Sequence, residues 1–432
     1  MTTTAAQLTR LLALAMGREP ALRVRAWDGS EVGPDDAPVV EVRSRDAVRY
    51  LAHAPNELGL ARAYVSGSIG VQGDIYEVLG ALPLENVDQM RRKAFIPRQR
   101  AELAALALKT GALGRAPDPP PEEAALSGRR HTKDRDRRAV THHYDVGNDF
   151  YRLVLGPSMV YSCAYWRCPD DPSYTLEDAQ RDKLDLVCRK LGLHQRTGPV
   201  RMLDVGCGWG SLLLHAASTY GVTGVGVTLS QPQAELARAR LAEAGLSDQV
   251  EIRVQDYRDV DDGPYDVVAS IGMAEHVGEE AYGGYARQLF DLMAPTGRLL
   301  NHQISRRPGP RREGTSFIEA YVFPDGELLP VATTVGILEE SGFEVRDVES
   351  LREHYALTLR RWVANLEQGW DRAVELSSEG RARVWRLYMA ASALSFEAGR
   401  LGVNQVLAVR QGPGGASGFP ATRERLLGTA TA

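Results

Sequence analysis

Between residues 200 and 348 the chain alternates short β-branched, apolar runs with helix-forming stretches, a pattern that few architectures accommodate. Strands are expected at 200–205, 222–227, 250–254, 265–270, 298–304 and 343–348, with helices at 211–220 and 232–244. Strands hydrophobic throughout and separated by helices pair in parallel and are covered on both faces. The expected fold class is therefore α/β, with a mostly parallel sheet between helical layers. A last apolar run at 403–409 is expected to return to the sheet. Leu359, Trp362, Val363, Leu366 and Trp370, then Val384, Leu387, Tyr388 and Ala391, recur at helical spacing and are expected to pack as core.

At 432 residues the chain exceeds one ordinary core. Residues 1–115 read as a small mixed α+β domain, with strand-like runs at 22–27 and 39–42, a turn at Asp28-Gly29 and helical pattern after Asp46. Pro117, Pro119, Pro120 and Pro121 stop any helix, so 116–140 reads as a linker. Its second half carries Arg129, Arg130, Lys133, Arg135, Arg137 and Arg138, diluted by Asp134 and Asp136. Two readings stay open: a solvated linker, or a patch for anionic headgroups worth about 1 kcal/mol per base. The main domain spans 141–410, and the Gly-, Ser- and Thr-rich tail at 411–432 is expected to be disordered. With 56 acidic against 51 basic residues and a net charge of −5, no global positive field points to nucleic acid. No run of about 18 apolar residues occurs, and a cytoplasmic protein is expected. Cys163, Cys168, Cys188 and Cys207 lack the spacing of a metal site or disulfide framework.

The chemistry starts at Asp204-Val205-Gly206-Cys207-Gly208-Trp209-Gly210, which ends the first expected strand of the main domain and opens a helix. Glycines there let a ligand approach the backbone, where open α/β sheets bind nucleotides. A dinucleotide fingerprint would need glycine where Ser211 stands and an acid where Thr228 ends the second strand. The motif instead looks like that of class I methyltransferases, with Cys207 as a small packing residue. Further motifs are His143-Tyr144-Asp145, Gly147-Asn148, Tyr161-Ser162-Cys163-Ala164-Tyr165-Trp166, Thr228-Leu229-Ser230 with Gln233, Ser270 through Gly278, and Phe323-Pro324. Together they resemble the cyclopropane-fatty-acyl-phospholipid synthase family from about His142 to Arg410, and more loosely from Leu58 to Ile75.

That resemblance implies a class I S-adenosylmethionine-dependent methyltransferase acting on the double bond of a phospholipid acyl chain, with a lipid-binding type of N-terminal domain and peripheral contact with the inner membrane face. It implies that Tyr161, Ser162, Asp204, Gly206, Gly208, Thr228, Leu229, Ser230, Gln233, Asp256 and Tyr257 bind the cofactor. It further implies a bicarbonate held by Cys163, Glu275, His302, the backbone of Ile304, and Tyr355. A thiol, an imidazole and a phenol can donate to an anion, and Glu275 is expected to orient His302 or accept the bicarbonate hydroxyl. Tyr321 or Trp166 would offer an aromatic face to a cation. His276, Cys168 and Cys188 read as structural. The segments 317–328, 354–360 and 387–392 look like the actinobacterial branch that makes 10-methylene chains, which a separate reductase would complete; the ring-forming synthase is the alternative. A homo-oligomer is compatible with the sequence, and no metal is expected.

Overall fold

The computed structural model describes residues 3–428 except 17–18, 55, 83–100, 102–103, 106–107, 110–113, 125–130, 145 and 310–314. The chain divides into two compact units, one of residues 1–125, 312–324 and 370–394, the other of 126–311, 325–369 and 395–432.

In the first unit β1 (Arg23–Ala26), β2 (Glu31–Val32), β3 (Val39–Val42) and β4 (Ile69–Gln72) form a sheet in the order β2-β1-β3-β4. Val24, Ala26, Val42 and Ile69 pack on Ala47, Val48 and Tyr50 of the helix Asp46–His53. Part of the expected linker belongs here. The Tyr50 hydroxyl donates to the Asp118 carbonyl at 2.8 Å. Glu123 accepts two bonds from Arg62, at 2.8 and 2.6 Å, and one from the Tyr321 hydroxyl at 2.9 Å. Residues 116–120 carry no helix, and hydrogen bonds fix this stretch of chain. Segments 312–324 and 370–394 also join this unit, though they fall inside the span expected for the main domain. The Arg383 guanidinium donates to the carbonyls of Tyr64 (3.4 Å) and Ile69 (3.2 Å), and Ser378 donates to Glu122. The apolar stripe at 384–391 marks a helix, as periodicity can show, without showing which core it enters.

The second unit is built on β5 (Arg201–Val205), β6 (Thr223–Thr228), β7 (Val250–Val254), β8 (Tyr265–Ile271), β9 (Met293–Arg306), β10 (Glu344–Ser350) and β11 (Leu401–Val409), in the order β10-β11-β9-β8-β5-β6-β7. The pairs β9–β8, β8–β5, β5–β6 and β6–β7 are parallel; β11 is antiparallel to both β9 and β10. Successive side chains along a strand point to opposite faces. Met202, Leu300 and Leu407 therefore pack with Val187, Leu191, Leu213 and Ala237 on one side. On the other, Leu203, Leu299 and Val406 pack with Tyr282, Leu289 and Leu338. The chain leaves β5 for β6 on one flank and returns to β8 on the other. A crevice opens at the carboxyl ends of such strands.

Two expectations about flexible segments are corrected. The basic stretch is the start of the helix Lys133–Tyr144. Arg135 makes a two-point ion pair with Asp325, at 2.5 and 2.9 Å, and Lys133 pairs with Asp259 at 2.5 Å, so neither charge is free for a headgroup. Arg129 and Arg130 lie outside the described residues. The tail is ordered to Gly428: the Phe419 ring lies 4.5 Å from the Arg298 guanidinium, and a helix Arg423–Leu427, capped by Thr422, buries Leu426 in the core. Gly, Ser and Thr frequency conceals two apolar anchors in an otherwise polar tail.

Asp325 sits at φ +67°, where Asn is tolerated as well. Asp325→Asn removes the charge without adding backbone strain, and should lower unfolding free energy by about 2 kcal/mol in a denaturant titration. An unchanged midpoint would make the Arg135 pair energetically silent.

Candidate active site

Gly206, Gly208 and Gly210 follow β5 with φ of +77°, +54° and +75°, a region L side chains rarely enter. The N–H groups of Gly206 and Cys207 both donate to the Val227 carbonyl, at 2.9 and 3.0 Å, which seats the turn against β6. A Cβ added at Gly208 would meet nothing within 4 Å, so this part of the turn is an open cradle. Cys207 is buried in the core, in keeping with a packing role. The turn is tied outward as well, through Trp209 Nε1, which donates to Asn148 Oδ1 at 2.8 Å.

At the end of β6 the Thr228 hydroxyl donates to Gln233 Oε1 (2.9 Å), the Ser230 amide donates to Thr228 Oγ1 (3.2 Å), and Ser230 Oγ caps the next helix by accepting from the Gln233 amide (3.4 Å). Leu229, between them, is half-buried. This cluster stands where a ribose-binding acid would be. After β7, Asp256 is held by Arg258 at 2.8 and 2.7 Å, and Tyr257 packs edge-on against Tyr285.

Ser162 has a partner that sequence reasoning missed. Lys183, on the helix Leu176–Lys190 and only 1% exposed, donates to Ser162 Oγ at 3.0 Å, and Gln180 one turn earlier donates to the Ser162 carbonyl at 3.0 Å. Burial pulls the Lys183 ammonium down to about 8 and pushes the Asp204 carboxyl up to about 7, each partly offset by the attraction between them. A lysine inside an amphipathic helix looks solvated in sequence; only the fold shows it turned inward.

The residues expected to hold an anion fall into two groups. Glu275 begins the short helix after β8, and His302 and Ile304 lie on β9. Glu275 Oε1 accepts the Ile304 amide at 2.8 Å, so the backbone donor expected for the anion is bonded to Glu275 here. Nor does Glu275 orient His302: its Oε2 and His302 Nε2 are sealed from solvent and without a hydrogen-bond partner among the described residues. His302 Nδ1 lies 3.3 Å from Gln405 Nε2 instead. Burial pushes the Glu275 carboxyl up to about 7, although the Ile304 amide pulls the other way. Burial, helped by the charges of Lys183 and Lys190, pulls His302 down to about 3.

The second group is Cys163 and Tyr355. The Cys163 thiol, which burial pushes well up, donates to the carbonyls of Ala164 (3.2 Å) and Leu351 (3.6 Å). Leu351 also accepts the amide of Tyr355, on the helix Arg352–Gln368. Thr358 on the same helix accepts from the Ala164 amide and Trp166 Nε1, both at 3.1 Å. The rings of Tyr161 and Tyr355 both contact Trp362, at 5.4 and 6.1 Å between centroids. Trp166 is thus held by its indole N–H. Tyr321 lies in the first unit, tilted on Phe317 at 5.4 Å.

A family model described as mycolic acid cyclopropane synthetase matches residues 131–406, well over half of the chain. The chain belongs to this family. It is 41% identical over 435 residues to a probable fatty acid methyltransferase of Mycobacterium tuberculosis, covering 97% of this chain and 98% of that protein. It is 38% identical to a tuberculostearic acid methyltransferase of the same organism, over 66% of this chain and 67% of the relative. With the cyclopropane-fatty-acyl-phospholipid synthase of Escherichia coli it shares 37% identity over 61% and 66% of the two chains. Among solved structures, a mycolic acid cyclopropane synthase in complex with SAH and CTAB matches with a TM-score of 0.58 and 33% identity, over 63% of this chain and 98% of that one. The fold is that of class I S-adenosylmethionine-dependent methyltransferases, and the family modifies lipid acyl chains.

Two measurements probe this geometry. Gly208→Ala adds a Cβ to the cradle at a backbone cost of about 1–2 kcal/mol. S-adenosylhomocysteine affinity should fall by calorimetry while the protein stays folded; unchanged affinity would remove the turn from the site. For Glu275 the folded pKa is raised, so its contribution to stability is present at low pH and lost as pH rises through about 7. Glu275→Gln keeps an acceptor for the Ile304 amide and cannot ionise. Its melting temperature should match that of the unmodified protein at roughly pH 4, below the unfolded carboxyl range, and exceed it at roughly pH 8. A gap of equal size at both values would count against the buried carboxyl.

Proposed function

We propose that the chain transfers a methyl group to the double bond of an oleoyl-type phospholipid acyl chain and leaves a 10-methylene chain. The observation that carries the chemistry is that Glu275 Oε2 and His302 Nε2 are each sealed from solvent with no hydrogen-bond partner among the described residues. Met273, two residues before Glu275, has its sulfur 3.4 Å from where a Gly206 Cβ would stand, which brings the start of the Glu275 helix to the glycine turn. An isolated alkene is a weak nucleophile, so its methylation needs orientation and exclusion of water. S-adenosylmethionine, when bound, supplies the methyl group. Tyr161, Ser162, Asp204, Gly206, Gly208, Thr228, Leu229, Ser230, Gln233, Asp256 and Tyr257 are the residues that would hold it.

The alkene π pair forms the new carbon–carbon bond, and the cation left on the neighbouring carbon must lose a proton. Bicarbonate, when bound, supplies the base. Cys163, Glu275, His302 and Tyr355 are its proposed holders, with the Ile304 amide reached through Glu275. A neutral His302 can donate to an anion without competing for the departing proton. Among the described residues no helix is long and apolar enough to cross a membrane, so access to the lipid is proposed as peripheral.

The ring-forming alternative uses the same site. If the proton leaves the new methyl before any hydride shift, a cyclopropane closes; if a hydride shifts first, the methyl proton leaves as an exocyclic methylene forms. Identities of 38% and 37% to a tuberculostearic acid methyltransferase and a cyclopropane synthase do not separate the two. The methylene reading rests on the resemblance of segments 317–328 and 355–362. Lipids from a host expressing this chain without a reductase should show vinylidene protons by NMR. High-field ring protons would establish the alternative. Stripping carbon dioxide from the assay should slow turnover, and a rate indifferent to it would sink the bicarbonate assignment.

A further inference from the structure

His302 is buried among groups that keep it neutral, so one ring nitrogen carries a proton and the other does not. Which one decides whether Nε2, the nitrogen without a partner among the described residues, is a donor or an acceptor. The fold contains a device able to fix that choice. β11 runs back along β9 with Gln405 directly opposite His302. Side chains of such a pair share a face and lie within reach of each other. Gln405 is 0% exposed and its Nε2 stands 3.3 Å from His302 Nδ1. An amide nitrogen can only donate, so Nδ1 in this arrangement must accept and the ring proton must sit on Nε2.

We propose that Gln405 is a positioning residue that sets the tautomer of His302, donating to Nδ1 so that Nε2–H is held ready as a hydrogen-bond donor to a bound anion. The catalytic consequence rests on the function proposed above; the tautomer itself does not. The opposite amide orientation would place Oε1 on Nδ1–H and leave Nε2 as a lone-pair acceptor, repelling an anion. The sheet register brings the amide to the imidazole on a strand that returns about a hundred positions later, and the nitrogen end of that amide, which faces Nδ1, carries the assignment.

The full chain, labelled with ¹⁵N in its nine histidines, gives a direct reading through two-bond ¹H–¹⁵N correlations, with His302 identified from the spectrum of His302→Asn. Without substrate and near neutral pH, His302 should show the Nε2–H pattern. Once its carboxyl is ionised, Gln405→Glu offers only acceptors, so a spectrum taken at roughly pH 9, above the raised range of a buried carboxyl, should show the proton on Nδ1. Gln405→Met keeps the volume without the polar contact and should give a mixture. Circular dichroism and S-adenosylhomocysteine affinity should stay as in the unmodified protein for both, while kcat for Gln405→Glu falls on the order of 100-fold. A ring proton on Nδ1 in the unmodified protein, or a tautomer unmoved by both substitutions, overturns the proposal, and so does a reversed ring with unchanged kcat. A rate indifferent to bicarbonate with the Nε2–H tautomer in place would instead overturn the proposed base and leave Gln405 as the residue that orients the ring.

Discussion

Taking an ionisable group out of water costs several kcal/mol unless partners replace the solvent or the group turns neutral. Around the carboxyl ends of β5, β8 and β9 the second unit does this with Lys183, Asp204, His302 and the inner oxygen of Glu275. The carboxyls of Asp204 and Glu275 are pushed up to about 7, the Lys183 amine is drawn down to about 8, and His302 is kept neutral. Lys183 links two of them, since its charge eases ionisation of Asp204 and opposes protonation of His302. The same ammonium holds Ser162. One buried cation therefore acts, second to burial itself, on both the Asp204 carboxyl and the His302 imidazole.

Much of the sheet was legible because buried parallel strands are nearly continuous apolar runs. The expected 250–254 coincides with β7, 200–205 and 265–270 differ from β5 and β8 by a residue at one end, 222–227 from β6 by one at each end, and 343–348 from β10 by one and two. β9 is the exception: it begins at Met293 rather than 298, because Pro295-Thr296-Gly297 reads as a turn while Thr296 takes φ +62° within the strand. The glycine turn was legible for a local reason: backbone that must leave room for a ligand needs residues without a Cβ, and this requirement is written in consecutive positions.

Partnerships between distant residues were not legible. Gln405 faces His302 only because β11 is inserted antiparallel between β9 and β10, and nothing in 403–409 says which neighbour it takes. Lys183 shares a helix with Asp182 and Asp185, so its inward turn depends on how that helix is rotated against the sheet. Thr358 looks like one more residue in an amphipathic stripe until its hydroxyl is seen to collect two donors and give its proton to the His354 carbonyl. The tail and the Pro-rich stretch erred in the opposite sense. Composition there reports low regular structure, and single anchors such as Phe419 and Glu123 supply order that composition does not register.

Adjacent positions in the 161–166 segment connect the halves of the site. Ser162 is held from one side by Lys183 and Gln180, while Cys163 next to it is held through Leu351 at the start of the helix that carries Tyr355. Thr358 and His354 pin the following residues to the same helix, since Trp166 donates its backbone N–H to His354 Nδ1 at 2.9 Å. A displacement of that helix cannot stay local: it would move Tyr355, pull on Cys163 and be passed to Ser162 across a single peptide bond. Close-packed interiors respond to such shifts by changing partners rather than by stretching. The spacing between the residues proposed for the cofactor and those proposed for the anion is thereby set by a short covalent segment, clamped at both ends by hydrogen bonds.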